Sequence, residues 1–344
     1  MDYVTTHSIP APSARLNGTR GASSVVKVED LRHAYGERAA LDGVTFDVRP
    51  AEIFGLLGPN GSGKTTMFRI LSTLMLPSSG RATINGFDVS KAPADVRRQI
   101  GVVFQQASID VKLTARENLQ HVAALYGING AAQRARVDEM LERVALADRA
   151  NDNAETFSGG MQRRLELAKG LLHRPSVLLL DEPTTGLDPG ARIDLWRYLQ
   201  ELRDRDGVTV VVTTHLMEEA EKCDRLAILS HGKLVALGTP AELRSEIGGD
   251  VIALDTQQPA QLAEKIERRF QVKTAVLDTQ VRVEREAGHR FVTELVEAFP
   301  GEIDGVSITK PSLEDVFIHR TGHRFWNEDL QSQNERTADK QKKH

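Results

Sequence analysis

The chain has a single cysteine, Cys223, in 344 residues. That excludes an internal disulfide framework and any zinc site built on several cysteines. It leaves Cys223 as a packed residue of a helix, in keeping with a reducing compartment. Also missing is any run approaching the ~20 apolar residues of a membrane-spanning helix, so the sequence offers nothing with which to cross a bilayer unaided. There is no excess of positive charge: 44 Lys and Arg stand against 48 Asp and Glu, a formal net charge of −4. A global basic footprint for nucleic acid is therefore absent, and no nucleic-acid partner is expected. Residues 1–24 carry neither the basic nor the apolar stretch of a secretory signal and read as a flexible tail rich in Ser, Pro, Ala and Gly. No long-period repeat is found.

What remains is an ordinary globular balance, 40% hydrophobic and 27% charged, over a length sufficient for two domains. The runs VVKVED, VTFDV and EIFGLLG are β-rich and bounded by turn residues. The last feeds into PNGSGKTTMFRILSTL, an apolar-periodic helix. RATIN and GVVFQ are further strands. From about 107 to 157 two helical patterns follow without strands between them, which predicts a helical insertion.

Alternation then resumes. A helix over 159–173 places Met161, Leu165, Ala168 and Leu172 on one face. Strand VLLLD, a helix from Pro189 with Asp188 as N-cap, strand VTVVVTT, helix LMEEAEKC and strand RLAILS come next. Unbroken apolar strands alternating with helices predict an α/β fold, a mostly parallel sheet with helices on both faces. Over 250–321 the order becomes β-α-β-β-α-β, that of a small ferredoxin-like α+β domain, closed by a short helix in PSLEDVFIHRTG. Residues 322–344 read as a second flexible tail.

Two stretches carry chemistry outright. Gly58, Pro59, Asn60, Gly61, Ser62, Gly63, Lys64 and Thr65 spell the G-x-x-x-x-G-K-[ST] phosphate loop, set between a strand and a helix as it must be. Backbone amides from Asn60 onward, Thr66 included in the turn, would wrap phosphates; Lys64 would reach the β- and γ-phosphates, and Thr65 would hold Mg2+. Asp181 and Glu182 end VLLLDEP, where an open α/β sheet presents ligand groups. Asp181 suits Mg2+, through water, and Glu182 suits a general base acting on water.

A second phosphate-binding device, Ser158-Gly159-Gly160 at a helix start, stands a hundred residues from the first. Alone, a tyrosine packs, a histidine fills a core or surface position and a glutamine signifies nothing. Together, the ordered set resembles the ATP-binding cassette (ABC) family, the ATPase subunits of ABC transporters, over about residues 25–246. SGGMQ matches the family signature, with Met161 at the usual glutamine position. Tyr35 matches the aromatic that stacks on adenine, and Gln105, with Gln106 beside it, the glutamine of the Q-loop, a ligand to Mg2+ and a catalytic residue. Asp188 matches the D-loop aspartate and His215 the switch histidine.

The resemblance implies a P-loop NTPase core with an antiparallel β subdomain and a helical subdomain. It further implies ATP and Mg2+ as cofactors and catalysis by Glu182, His215, Lys64 and Gln105. Two units would pair head to tail, the Ser158, Gly159 and Gly160 of one closing over the other's γ-phosphate. QASIDVKLTARENL and PSLEDVF resemble the exporter branch that moves drugs, polysaccharides and lipids. That implies a separate permease and a cytoplasmic, peripheral position on the inner face of the membrane. An importer motor and a soluble ABC switch are the alternatives.

Overall fold

The computed structural model describes residues 24–325; the expected tails fall almost wholly outside the described residues. Strands β1 (Val26–Tyr35) and β2 (Arg38–Val48) form a long hairpin. With β4 (Ser79–Ile84) and β5 (Phe87–Asp88) they make an antiparallel sheet in the order β2-β1-β4-β5. The two hairpin strands are 10 and 11 residues long, about twice the runs legible in the sequence. Register shifts after Val28 and Leu31 interrupt the apolar alternation while the pairing continues to Tyr35 at the tip.

The central sheet comprises β3 (Ile53–Leu57), β6 (Ile100–Val103), β7 (Val177–Asp181), β8 (Thr209–Thr214), β9 (Arg225–Ser230) and β10 (Lys233–Gly238). Its order is β10-β9-β3-β8-β7-β6, parallel except for β10. Alternate residues serve opposite cores. Leu178, Leu180, Val210 and Val212 pack on one face, Val177, Leu179 and Val211 on the other. Burial on both faces is why these strands are apolar without a break.

Helices α1 (Lys64–Leu71) and α2 (Pro93–Gln99) lie on the side of the antiparallel sheet. The insertion folds as α3 (Ala115–Leu125), α4 (Gly130–Arg143) and the start of α5 (Gly159–Leu171), around Leu119, Met140, Leu141 and Leu165. A capping box between Thr114 and Glu117 starts α3. Helix α6 (Pro189–Asp206) begins at Asp188, whose side chain accepts from the Ala191 N–H, and stops at left-handed Gly207.

The helix expected over Leu216–Cys223 is a single turn, α7 (Met217–Ala220), so Cys223 is packed but lies beyond any helix. Beyond Ala220 the N–H groups of Lys222 and Cys223 bond three residues back, and the Asp224 N–H donates to the Ile53 carbonyl at 2.9 Å, which turns the chain onto β3. Glu219 is drawn into the interior, where its carboxylate accepts from the hydroxyls of Thr184 and Thr214. Burial pushes the Cys223 thiol up, which leaves it unreactive.

After α8 (Pro240–Ser245) come β11 (Asp250–Asp255), α9 (Pro259–Phe270), β12 (Thr274–Leu277), β13 (Gln280–Arg285), α10 (Gly288–Ala298) and β14 (Gly305–Thr309). The sheet order β12-β13-β11-β14, antiparallel throughout, is that of a split βαβ unit. Helices α9 and α10 cover one face with Leu262, Ile266, Phe291 and Leu295. Helix α11 (Leu313–Thr321) belongs to a different core. Leu313, Val316 and Phe317 pack with Leu57, Leu226, Ile228 and Leu243 of the nucleotide-site half. Phe325 is fully buried in that same core, so the tail expected from residue 322 begins too early: an aromatic beyond left-handed Gly322 anchors the chain. No helix among the described residues is long and apolar enough to cross a membrane.

Candidate nucleotide site

Strand β3 delivers the phosphate loop at its buried C-terminal end, and α1 carries it away. A Cβ on Gly58 would lie 2.4 Å from Ser62 Oγ and 2.5 Å from the Leu229 carbonyl. Gly63 sits at φ 107°, where a Cβ would meet the Ala40 carbonyl at 2.5 Å, so only glycine fits either position. The Gly232 N–H donates to Ser62 O at 3.0 Å and braces the loop from the β9–β10 turn. Lys64 is 4% exposed, and its ammonium donates to the carbonyls of Gly58 at 2.6 Å and Pro59 at 2.9 Å. The first-turn N–H groups of α1 have no intrahelical acceptor and carry the positive end of the helix dipole.

The loop floors a cleft of about 570 Å³. Asn60, Gly61, Gly63, Lys64, Thr65 and Thr66 line it, facing Gln105 and Glu182, with Tyr35 at the hairpin tip. Tyr35 is half exposed, edge-on to His33, with its hydroxyl 3.4 Å from Met75 Sδ. Gly58, Pro59, Ser62, Asp181 and His215 do not line it, and His215 lies against Glu182, which does. Gln106 is exposed and takes no part in the cleft, so Gln105 is the glutamine that reaches it.

The two acids at the end of β7 are adjacent in sequence and opposite in environment. Asp181 is buried, and its Oδ1 accepts from Thr213 Oγ1 at 2.6 Å. Burial raises its pKa above the usual carboxylate range; the Thr213 bond pulls the other way, and the charge of Glu182 adds to the rise. Glu182 sits at φ 44°, a left-handed conformation rare for a side-chain-bearing residue, which turns its carboxylate from Asp181 into the cleft. Its Oε2 lies 3.2 Å from His215 Nδ1, and accepts from Gln105 Nε2 at 3.1 Å and Thr185 Oγ1 at 3.4 Å. Burial works to raise its pKa, but the His215 contact and charge, with Lys64, outweigh burial and hold it below the usual range. Glu182 in return raises His215. One acid is kept ionised in the cleft while its neighbour is pushed toward neutrality behind it.

Ser158 caps α5, its hydroxyl accepting from the Met161 N–H at 3.3 Å. Ser158, Gly160 and Asp188 line a separate cleft of about 660 Å³ between α5 and α6, with exposed Gly159 beside Leu187 at its edge. None of them reaches the wall of the first cleft. Sequence reasoning missed Arg38 and Ala40 on the cleft wall, which carry no motif. It also missed Thr213, for which a signal exists: two hydroxyls end an otherwise valine-rich buried strand, directly in register with Asp181.

A phosphate loop at one parallel strand, an acid pair at the end of another and a capped SGG helix on an inserted subdomain define an ATP-hydrolysing cassette. Residues 41–185 match the ABC transporter family model, and 238–321 match the C-terminal domain of DrrA1-3-like ATP-binding proteins. The daunorubicin resistance ATP-binding protein DrrA3 of Streptomyces coeruleorubidus is 38% identical, over 88% of this chain and 97% of that one. The linearmycin resistance ATP-binding protein LnrL of Bacillus subtilis is 36% identical, over 87% and 98%. The Nod factor export ATP-binding protein I of Paraburkholderia xenovorans is 37% identical, over 88% and 98%. Among solved structures, cbiO1 from Clostridium perfringens, part of an ABC transporter complex, superposes with TM-score 0.61 at 27% identity, over 72% of this chain and 96% of that one. A dimeric cassette bound to ADP and Pi gives 0.57 at 32%, over 62% and 98%. The chain belongs to the family of ABC transporter ATP-binding subunits. It is an ATPase, the motor subunit of an exporter.

Proposed function

We propose that two copies of this chain close head to tail around two Mg-ATP and drive a separate permease that exports a drug, lipid or polysaccharide. The observation that carries the reading is the division of the site. One chain holds the phosphate loop and the acids in one cleft and the SGG helix and Asp188 in another. Each half completes the other only in a second copy.

Within a site the residues divide the work. The Gly58–Thr66 loop would wrap the phosphates, Lys64 would neutralise the β- and γ-oxygens, and Tyr35 would stack on the base. Glu182, held ionised, would accept the proton of the attacking water, which Gln105 and His215 help to place. The Thr65 hydroxyl, the Gln105 amide and the Asp181 carboxylate are hard oxygen donors that suit Mg2+. Among the described residues no three His, Cys, Asp or Glu side chains could enclose a metal. When bound, Mg2+ supplies charge neutralisation at the transferring phosphoryl group.

Permease docking on the inner membrane face fits the insertion and the Q-loop segment, which expose Val111, Leu125 and Tyr126, Leu125 to 85%. Tyr126 is itself fixed, stacked on His173 at 3.8 Å. The relatives' names print resistance to daunorubicin, resistance to linearmycin and export of Nod factor, and compounds of that chemical range are the cargo proposed for this chain.

The test is Glu182→Gln purified from solubilised host membranes with Mg-ATP. It should bind ATP, lose turnover by at least about 100-fold, dimerise, and bring down a polytopic membrane protein in equal stoichiometry. Turnover at the wild-type rate would refute the base assignment. A soluble ATP-dependent dimer without membrane company would refute the transporter and leave a free-standing ABC switch.

A further inference from the structure

Helix α5 does more than present the signature. At spacings of three, Arg163, Glu166 and Lys169 point from one face of the helix into the backbone of residues 104–108. Arg163 is 7% exposed and Glu166 3%. Arg163 Nη1 donates to Glu166 Oε2 at 2.8 Å and to the Phe104 carbonyl at 2.8 Å; Nη2 donates to the carbonyl of Gln105 at 3.2 Å. Glu166 Oε1 accepts from the Ser108 N–H at 2.6 Å, and the Lys169 ammonium donates to the Ser108 carbonyl.

A buried ion pair is a costly way to seat a helix against a loop, since apolar side chains of the same volume do it as well or better. What apolar side chains cannot do is grip named carbonyls. The gripped residue is Gln105, whose amide in turn donates to Glu182 at 3.1 Å. A continuous path therefore runs from Ser158 through α5, Arg163 and Gln105 to the carboxylate of Glu182. In the head-to-tail sandwich, Ser158 meets the partner's ATP while Glu182 works on the chain's own.

We propose that Arg163 and Glu166 are positioning residues that make the signature helix and the Q-loop one rigid body, and so couple the two nucleotide sites of the dimer. This rests on the sandwich reading above. Closure of the signature on one ATP sets the position of Gln105 at the other. The coupling is a property of the clamp and not of nucleotide affinity in either isolated half-site.

The experiment compares wild type with Arg163→Met/Glu166→Gln, which removes both charges of the pair together and leaves Lys169 its bond to the Ser108 carbonyl. The double variant should keep its melting temperature and its monomeric Mg-ATP affinity. Turnover should fall on the order of tenfold, and the Hill coefficient for ATP should fall toward one. Adding Gln105→Ala should then cost little more, because the glutamine is already released. Arg163→Lys supplies a second route. It keeps a charge for Glu166 but lacks the planar fork for the carbonyls, so it should retain stability and lose cooperativity.

Wild-type cooperativity in either variant, or additive losses with Gln105→Ala, overturns the proposal. Glu182→Gln measured alongside separates the two readings. An inactive Glu182→Gln with cooperative clamp variants sinks the clamp alone, whereas an active Glu182→Gln sinks the site reading and the relay with it.

Discussion

Asp181 and Glu182 show how far two like residues diverge when the backbone turns between them. Asp181 is raised by burial above the ordinary 3.8. Between the unfolded and folded values the folded protein binds more protons, so its stability falls as pH rises through that window. At neutral pH the ionised Asp181 is a net cost, tolerated for its place in the site. Asp181→Asn keeps an acceptor for Thr213 and removes the charge. It should be more stable at pH 7 by about 1 kcal/mol and so unfold at a higher temperature, while losing Mg-dependent turnover. The stability gap should vanish below pH ~4, where the wild-type carboxyl is protonated. An Asn variant less stable at pH 7 would show that burial is not the dominant force on Asp181. The adjacent acids were plain in the sequence; the left-handed turn at Glu182 that separates their roles was not, because nothing in DEP announces it.

At the scale of elements, α5 combines a structural and a chemical duty at one residue. Ser158 caps the helix and, on the proposed reading, faces a partner's γ-phosphate. Ser158→Asp distinguishes these duties. Asp caps as well as Ser and suits a helix N-terminus, so thermal stability should hold. The same carboxylate opposes a phosphate, and like charges held together cost several kcal/mol. ATP-driven dimerisation, followed by sedimentation in the Glu182→Gln background, should weaken by roughly 100-fold or more. A dimer of unchanged strength would mean that the SGG helix does not meet phosphate. The helix itself was legible from its 3.6-residue pattern, whereas the cap at Ser158 was seen only in the structure. Short α7 was misread because the bonds that turn Asp224 onto β3 join residues 171 positions apart.

Over the whole molecule, the C-terminal segment has two attachments of different kind. Phe291 lies in the core under α9 and α10, whereas Phe317 on α11 lies with Leu57, the residue that leads into the phosphate loop. Phe→Ala at either site should cost about 3–5 kcal/mol. Only Phe317→Ala should also weaken ATP affinity, because it loosens the seat of β3. Calorimetry of unfolding and of ATP binding on the two variants reads both effects. Equal ATP affinity in the two would mean that α11 supports the fold without touching the site.

The sequence by itself determined the alternation of strands and helices, the phosphate loop, the acid pair, the signature and the β-α-β-β-α-β order of the C-terminal unit. Each is written in local spacing or in hydrophobic periodicity. Only the tertiary structure decided that Gln105 and not Gln106 reaches Glu182, that Thr213 supports Asp181, that α11 and Phe325 pack on the nucleotide-site half, and that Arg163 grips the Q-loop. These contacts join residues 32 to 268 positions apart. Their partners are selected by which faces the folded core brings together, and no local pattern encodes that.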